Sequence, residues 1–331
     1  MPASIRPRSD RSARRFAMAP ATYRRLTAVA VVALMAIVVT GAAVRLTGSG
    51  LGCSDWPGCS QDRFVPEADL HGWVEFGNRL VTGIVSIAVV AAVLGSWWRV
   101  PRRRDLVWLS WGLVSGVAAQ ILIGAVTVLT HLSPQVVIAH FLLSMVLVAN
   151  AVVLHHRATL PDVSSGTRQR TWPSGWSGRL LVAVVALTGV AVATGTVVTA
   201  AGPHGGDVDV ERLGVDVSDV ARIHGGSVVL LVASLLAFLA VHGRGTGRDR
   251  TQRAAELVGL VLVAQATVGY VQYFNGVPAL LVAIHVTLAT VAWAAAVRLA
   301  LVAATPTGPL LADRSADEPP VAVDPVLDPV G

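Results

Sequence analysis

Apolar and polar positions along this chain fall into long blocks rather than short alternations. Eight runs, roughly 26–44, 74–98, 106–130, 134–156, 180–202, 219–243, 254–276 and 278–302, are almost free of charge. Each has about the 20 residues that a helix needs to cross the hydrocarbon of a bilayer. A segment in lipid must satisfy its own backbone hydrogen bonds, so such runs read as helices. The pattern predicts an all-α integral membrane protein with eight transmembrane helices.

The segments between the runs alternate in charge. The N-terminus (Arg6 to Arg25), the 2–3 connection (Arg99, Arg102, Arg103, Arg104), the 4–5 connection (Arg157, Arg168, Arg170, Arg179) and the 6–7 connection (Arg244, Arg248, Arg250, Arg253) are basic. The 1–2 and 5–6 loops are acidic, and the 3–4 and 7–8 connections are tight turns. An excess of Arg marks the cytoplasmic side, so both termini are expected in the cytoplasm and the protein in the plasma membrane. Residues 1–25 and 303–331 read as disordered cytoplasmic tails and 157–179 as a cytoplasmic linker. A cleaved signal peptide is disfavoured, because the first run is long for one and its removal would break an internal repeat.

Composition agrees. Of 331 residues, 53% are hydrophobic and only 14% charged, against about 25% charged in soluble domains. The net charge of +6 does not point to nucleic acid, because its arginines sit in short blocks between apolar runs.

The chain repeats itself. "AQILIG" at Ala119–Gly124 matches "AQATVG" at Ala264–Gly269, an offset of 145, and a histidine stands 20 residues after each Gln, His140 and His285. "TGAAV" at Thr40–Val44 echoes "TGTVV" at Thr194–Val198, and with one residue of slack Asn78 corresponds to His224. Two tandem pseudo-symmetric four-helix bundles are therefore expected, residues 26–156 and 180–302.

His140, His224 and His285 lie inside the apolar runs, where ionisable groups are costly and usually functional. Counted from the outer ends, they lie at nearly one level, roughly 7–11 Å below the outer surface. His224 and His285 belong to one unit and can converge on its axis, which suits a low-spin haem iron better than zinc. His140 has Asn78, a poor iron ligand, opposite it. On the second helix, His71, Glu75 and Asn78 share one face, with Arg79 at its edge within reach of an anionic group. Glu75 reads either as a proton acceptor or cation stabiliser, or as half of an ordinary ion pair with Arg79. His155, His156 and His242 are expected at interfacial helix ends, and His204 in the 5–6 loop. Cys53 and Cys59 enclose "SDWPG" in a loop expected in an oxidising compartment, either as a structural staple or as a redox-active pair.

At these residues the chain resembles the haem A synthase family. The motifs are "VRLTGSGLGCSDWPGC" (Val44–Cys59), "EFGNRL" (Glu75–Leu80), "VVIAHF" (Val136–Phe141), "GPHGGD" (Gly202–Asp207), "RIHGGSVVL" (Arg222–Leu230) and "GVPALLVAIH" (Gly276–His285). The resemblance implies oxidation of the C8 methyl of haem O to the formyl of haem A, by successive hydroxylations and loss of water. It implies haem b on His224 and His285 in the second unit. It places the substrate haem in the first, at His140 and the helix face of Asn78 and Glu75, with Arg79 and Arg45 counted at the same site. Many members carry a histidine where this chain has Asn78, so His71 or His131 is a substitute ligand, or one axial position is open. Haem O, the haem O synthase that supplies it and membrane lipid are the implied partners, with a homo-oligomer left open. An electron-carrying cytochrome b and a haem transporter or chaperone are the competing functions.

Overall fold

The computed structural model describes residues 17–162, 172–246 and 249–305. It contains α1 (Pro20–Leu46), α2 (Leu70–Trp98), α3 (Arg104–Leu129), α4 (Pro134–Thr159), α5 (Gly175–Ala201), α6 (Val217–Thr246), α7 (Arg250–Phe274) and α8 (Ala279–Ala303). All eight are long and apolar enough to cross a membrane. The protein is thus an all-helical, multi-pass membrane protein, as the apolar blocks predict.

Several helices begin before their apolar runs. α1 starts at Pro20, inside the segment expected to be a disordered tail, with Pro at its first position, where the missing N–H costs nothing. Arg24 and Arg25 are exposed on its first turns, and long cationic side chains there reach from the apolar boundary into water. Asp69 caps α2 by accepting the Gly72 N–H at 2.8 Å, and Asp249 caps α7 by accepting the Gln252 N–H at 2.7 Å. Hydropathy places only the lipid-embedded part of a helix, whereas caps place its ends. Likewise, α4 and α5 extend into both ends of the 157–179 linker. The rest of the expected tails, including Arg6, Arg8, Arg11, Arg14 and Arg15, lies outside the described residues, as do Arg168, Arg170 and Arg248.

Within the first half, α1 packs on α2 and α4, and α3 closes the ring against α2 and α4. The second half repeats this arrangement with α5, α6, α7 and α8. The halves meet where α4 faces α8, flanked by α1 on α8 and α4 on α5. Exchanging the halves maps this set of contacts onto itself. Trp293 of α8 donates across the seam to the carbonyl of Met145 on α4 at 2.8 Å. The 145-residue repeat extends to the backbone of the turns. His131 and Leu132 between α3 and α4 are left-handed (φ 51° and 60°), and so are Gly276 and Val277 between α7 and α8 (72° and 58°).

The outward faces carry Ile87, Trp108, Leu122, Leu260 and Val263, all exposed. Against water such a surface would drive aggregation; against lipid it costs nothing. Exposed Trp97, Trp111, Trp172 and Trp176 mark the arginine-rich end, where aromatic side chains belong at a lipid–water interface. At that end Arg99, only 1% exposed, makes two hydrogen bonds to Asp162 at 2.7 and 2.8 Å. This pair clamps the end of α2 to the segment following α4.

Candidate functional site

The three deep histidines are each seated on a glycine of a neighbouring helix. A Cβ on Gly195 of α5 would stand 3.2 Å from Cε1 of His224 on α6, and one on Gly269 of α7 would stand 3.1 Å from Cε1 of His285 on α8. In the first half, a Cβ on Gly124 of α3 would stand 3.4 Å from Cε1 of His140 on α4. Glycine at these positions lets an imidazole lie against a helix backbone, in a space that a larger side chain would take from the ring. The sequence reading missed this role, although Gly124 and Gly269 close the repeated "AQ" motifs and Gly195 follows the repeated Thr.

His224 and His285 face each other with ring centroids 6.3 Å apart and planes at 69°. An imidazole–metal bond is about 2 Å and a ring radius about 1 Å, so two such rings with one ion between them lie at this spacing. Thr194 holds the ring of His224 by its Nδ1 edge: the hydroxyl, 2.9 Å from Val190 O, pairs with Nδ1 at 3.2 Å. With Nδ1 so engaged, Nε2 is the ring nitrogen left for a metal. Among the described residues no group of three or more His, Cys, Asp or Glu is placed to hold a metal ion. A pair suffices for a haem, whose macrocycle supplies the other four ligands. The residues of the second half therefore fit a bis-imidazole haem.

The first half repeats the arrangement with one change. Thr40, the counterpart of Thr194, donates to Oδ1 of Asn78 at 2.8 Å. Gly41, the counterpart of Gly195, has nothing within 4 Å of the position a Cβ would take. On the opposite helix pair, Gln120 donates to the carbonyl of His140 at 3.1 Å and also bonds Ser144, fixing α3 against α4. Nδ1 of His140 is buried with no hydrogen-bond partner among the described residues.

Glu75 and Arg79 are both tied to the loop between α1 and α2. Cys53 and Cys59 are joined as a disulfide and buried, with Cys53 fully so. Glu75, 6% exposed, accepts the backbone N–H of Cys53 at 2.8 Å on one oxygen and the Arg79 guanidinium at 2.6 Å on the other. Arg79 also donates to the carbonyls of Asp55 at 3.1 Å and Gly58 at 2.8 Å. Its guanidinium is committed to this loop. The ion pair with Arg79, which the sequence offered as the alternative to a chemical role for Glu75, is present, and it is the base of the disulfide loop as well.

The remaining candidates lie elsewhere. His71 is exposed at the start of α2, where Nδ1 bonds the Ser49 hydroxyl at 3.0 Å. Along the helix it is seven residues, about 10 Å, from Asn78. His131 is exposed in the left-handed turn before α4. Arg45 ties the halves together, donating to the carbonyls of His204 at 2.7 Å and Thr199 at 3.0 Å. His204 in turn donates to the Val277 carbonyl at 2.8 Å. At the other end, His155 pairs with Thr27 at 3.0 Å and His242 with Asp249 at 3.3 Å, which are helix-end contacts as expected.

Residues 24–204, more than half of the chain, match the cytochrome oxidase assembly protein family. Among curated relatives, the haem A synthase of Lysinibacillus sphaericus is 33% identical over 126 residues, 38% of this chain and 41% of that protein. The haem A synthase of Geobacillus kaustophilus is 35% identical over 105 residues, 31% and 32% of the two chains. That of Bacillus licheniformis is 28% identical over 172 residues, 50% and 55% of the two chains. The chain thus spans less than two thirds of the length of each of these relatives. With more than half of its length matched, the chain belongs to the cytochrome oxidase assembly protein family, that of the haem A synthases.

Proposed function

We propose that this protein is a haem A synthase, which oxidises the C8 methyl of haem O to the formyl group of haem A. The observation that carries the reading is the facing pair His224 and His285, 6.3 Å apart on glycine seats, beside a related half in which one ligand position has become Asn78. The match to the cytochrome oxidase assembly protein family, with haem A synthases among the relatives, favours this reading over an electron-carrying cytochrome.

In this reading His224 and His285 hold haem b, which supplies one-electron redox chemistry. Haem O enters the first half, where His140 ligates it from α4. Each of two successive hydroxylations adds the oxygen of a water molecule to the methyl carbon and releases two protons and two electrons, the electrons passing to a one-electron acceptor outside the protein. The first gives a hydroxymethyl, the second a geminal diol, and loss of water from the diol leaves the aldehyde. Glu75 takes the protons released at the ring edge. A carboxylate has about four lone-pair sites, and the Cys53 N–H and Arg79 occupy two of them. It is therefore held in one orientation with acceptor capacity to spare. The buried disulfide keeps the loop over α2 in place, which makes a structural staple the better of its two roles.

The basic segments are proposed to face the cytoplasm and the disulfide end the outside of the plasma membrane. A haem O synthase is the proposed supplier of substrate. Haems extracted from cells that co-express this protein with a source of haem O, separated by chromatography, test the reading. Haem A above the background of cells lacking this protein is the expected result, and its absence from cells in which the protein is folded and carries haem would overturn it.

A further inference from the structure

We propose that the first half binds the iron of its haem through His140 alone, and that Asn78 leaves the opposite coordination position open to a small exogenous ligand. This rests on the reading of that half as a haem site. It goes further by assigning what the histidine-to-asparagine change does.

The two halves show the same local frame filled differently. In the second, Thr194 bonds Nδ1 of His224 at 3.2 Å, and the imidazole lies over Gly195 with Cε1, Nδ1 and Nε2 all within 4 Å of the position of a Cβ. In the first, Thr40 bonds Oδ1 of Asn78 at 2.8 Å, and Gly41 has nothing within 4 Å. The near atom of each side chain is thus held by the equivalent hydroxyl. Beyond that atom an asparagine offers only Nδ2, an N–H donor with no lone pair for iron, and it has no counterpart to the far side of the ring, where His224 carries Nε2. The space that an imidazole fills over Gly195 is therefore open over Gly41.

Neither substitute histidine closes it. His71 is exposed about two turns away along α2 and bonded to Ser49, and His131 is exposed in a turn whose left-handed backbone is shared with Gly276. An imidazole-sized ligand, or a diatomic such as carbon monoxide on reduced iron, matches the opening in size and in its need for a free axial site.

The test uses full-length protein in detergent, saturated with added haem, and reads optical and electron paramagnetic resonance spectra rather than turnover. Two haems per chain are expected, one low-spin and one high-spin. Carbon monoxide should bind one haem per chain after reduction, and added imidazole should convert the high-spin signal to low-spin. Asn78→His should give two low-spin haems and abolish carbon monoxide binding, while His140→Ala should lose the high-spin haem and keep the other. Wild-type protein with two low-spin haems and no carbon monoxide binding would overturn the proposal, as would protein that takes up no second haem. A high-spin haem lost with His140 in protein that makes no haem A would refute the synthase reading and leave this assignment standing.

Discussion

The carboxylate of Glu75 accepts the backbone N–H of Cys53 at 2.8 Å, so the buried acid of α2 and the disulfide loop are one structural unit. Removing either partner disturbs the other. Variants that change the acid and variants that change the disulfide therefore report on different halves of this unit.

Glu75→Gln keeps the size of the side chain and one acceptor oxygen, but loses its charge and its ion pair with Arg79. We expect this variant to insert, to retain the haem on His224 and His285, and to accumulate haem O or its hydroxylated product. Chromatography of extracted haems checks it. Wild-type levels of haem A would leave Glu75 only its role in holding the loop.

The disulfide is buried, with Cys53 inaccessible and Cys59 only 6% exposed. Exposed disulfides are the labile ones. Native protein treated with mild reductant and an alkylating agent should gain no label, whereas denatured protein should gain two per chain by mass. Labelling of the native state would favour the redox-active role instead. By the closure of so short a loop, a Cys53→Ser, Cys59→Ser variant should lose about 2 kcal/mol of stability.

His224→Ala and His285→Ala should each remove the low-spin bis-imidazole haem of the second half. The expected readout is a fall in that haem toward zero per chain, with the protein still in the membrane. A full complement with an unchanged spectrum in both variants would mean that these histidines are not its ligands.

The glycine seats predict a graded steric series. Gly269→Ala places a Cβ 3.1 Å from Cε1 of His285, which a shift of a few tenths of an ångström relieves. Gly269→Leu has no such escape and should displace the ring. Haem content should fall little in the first and most of the way in the second. Gly83→Ala, with nothing within 4 Å, is the control and should change neither.

Among the described residues Arg99 is the largest fully buried side chain, and its charge is balanced by Asp162. Asp162→Ala leaves that cation unpaired and should cost about 3–5 kcal/mol. Thermal unfolding in detergent, with haem absorbance and light scattering followed together, measures it. A midpoint within a degree of wild type would show that the clamp contributes nothing.

The eight helices and the 145-residue repeat that aligns His140 with His285 were legible in the chain itself. The reason is that these properties are local. Hydrocarbon admits only segments that satisfy their own backbone hydrogen bonds, so a run of apolar residues sets a helix and its rise sets a depth. What lies across from a residue depends on how helices pack, and the tertiary structure decided it. Packing seated the histidines on Gly124, Gly195 and Gly269 and left Gly41 bare. It turned Glu75 and Arg79 to the disulfide loop and spent Arg45 on the joint between the halves. A glycine reads the same in sequence whether a ring rests on it or not. Only the neighbouring helix, brought close by small residues and held by interhelical hydrogen bonds, distinguishes the two.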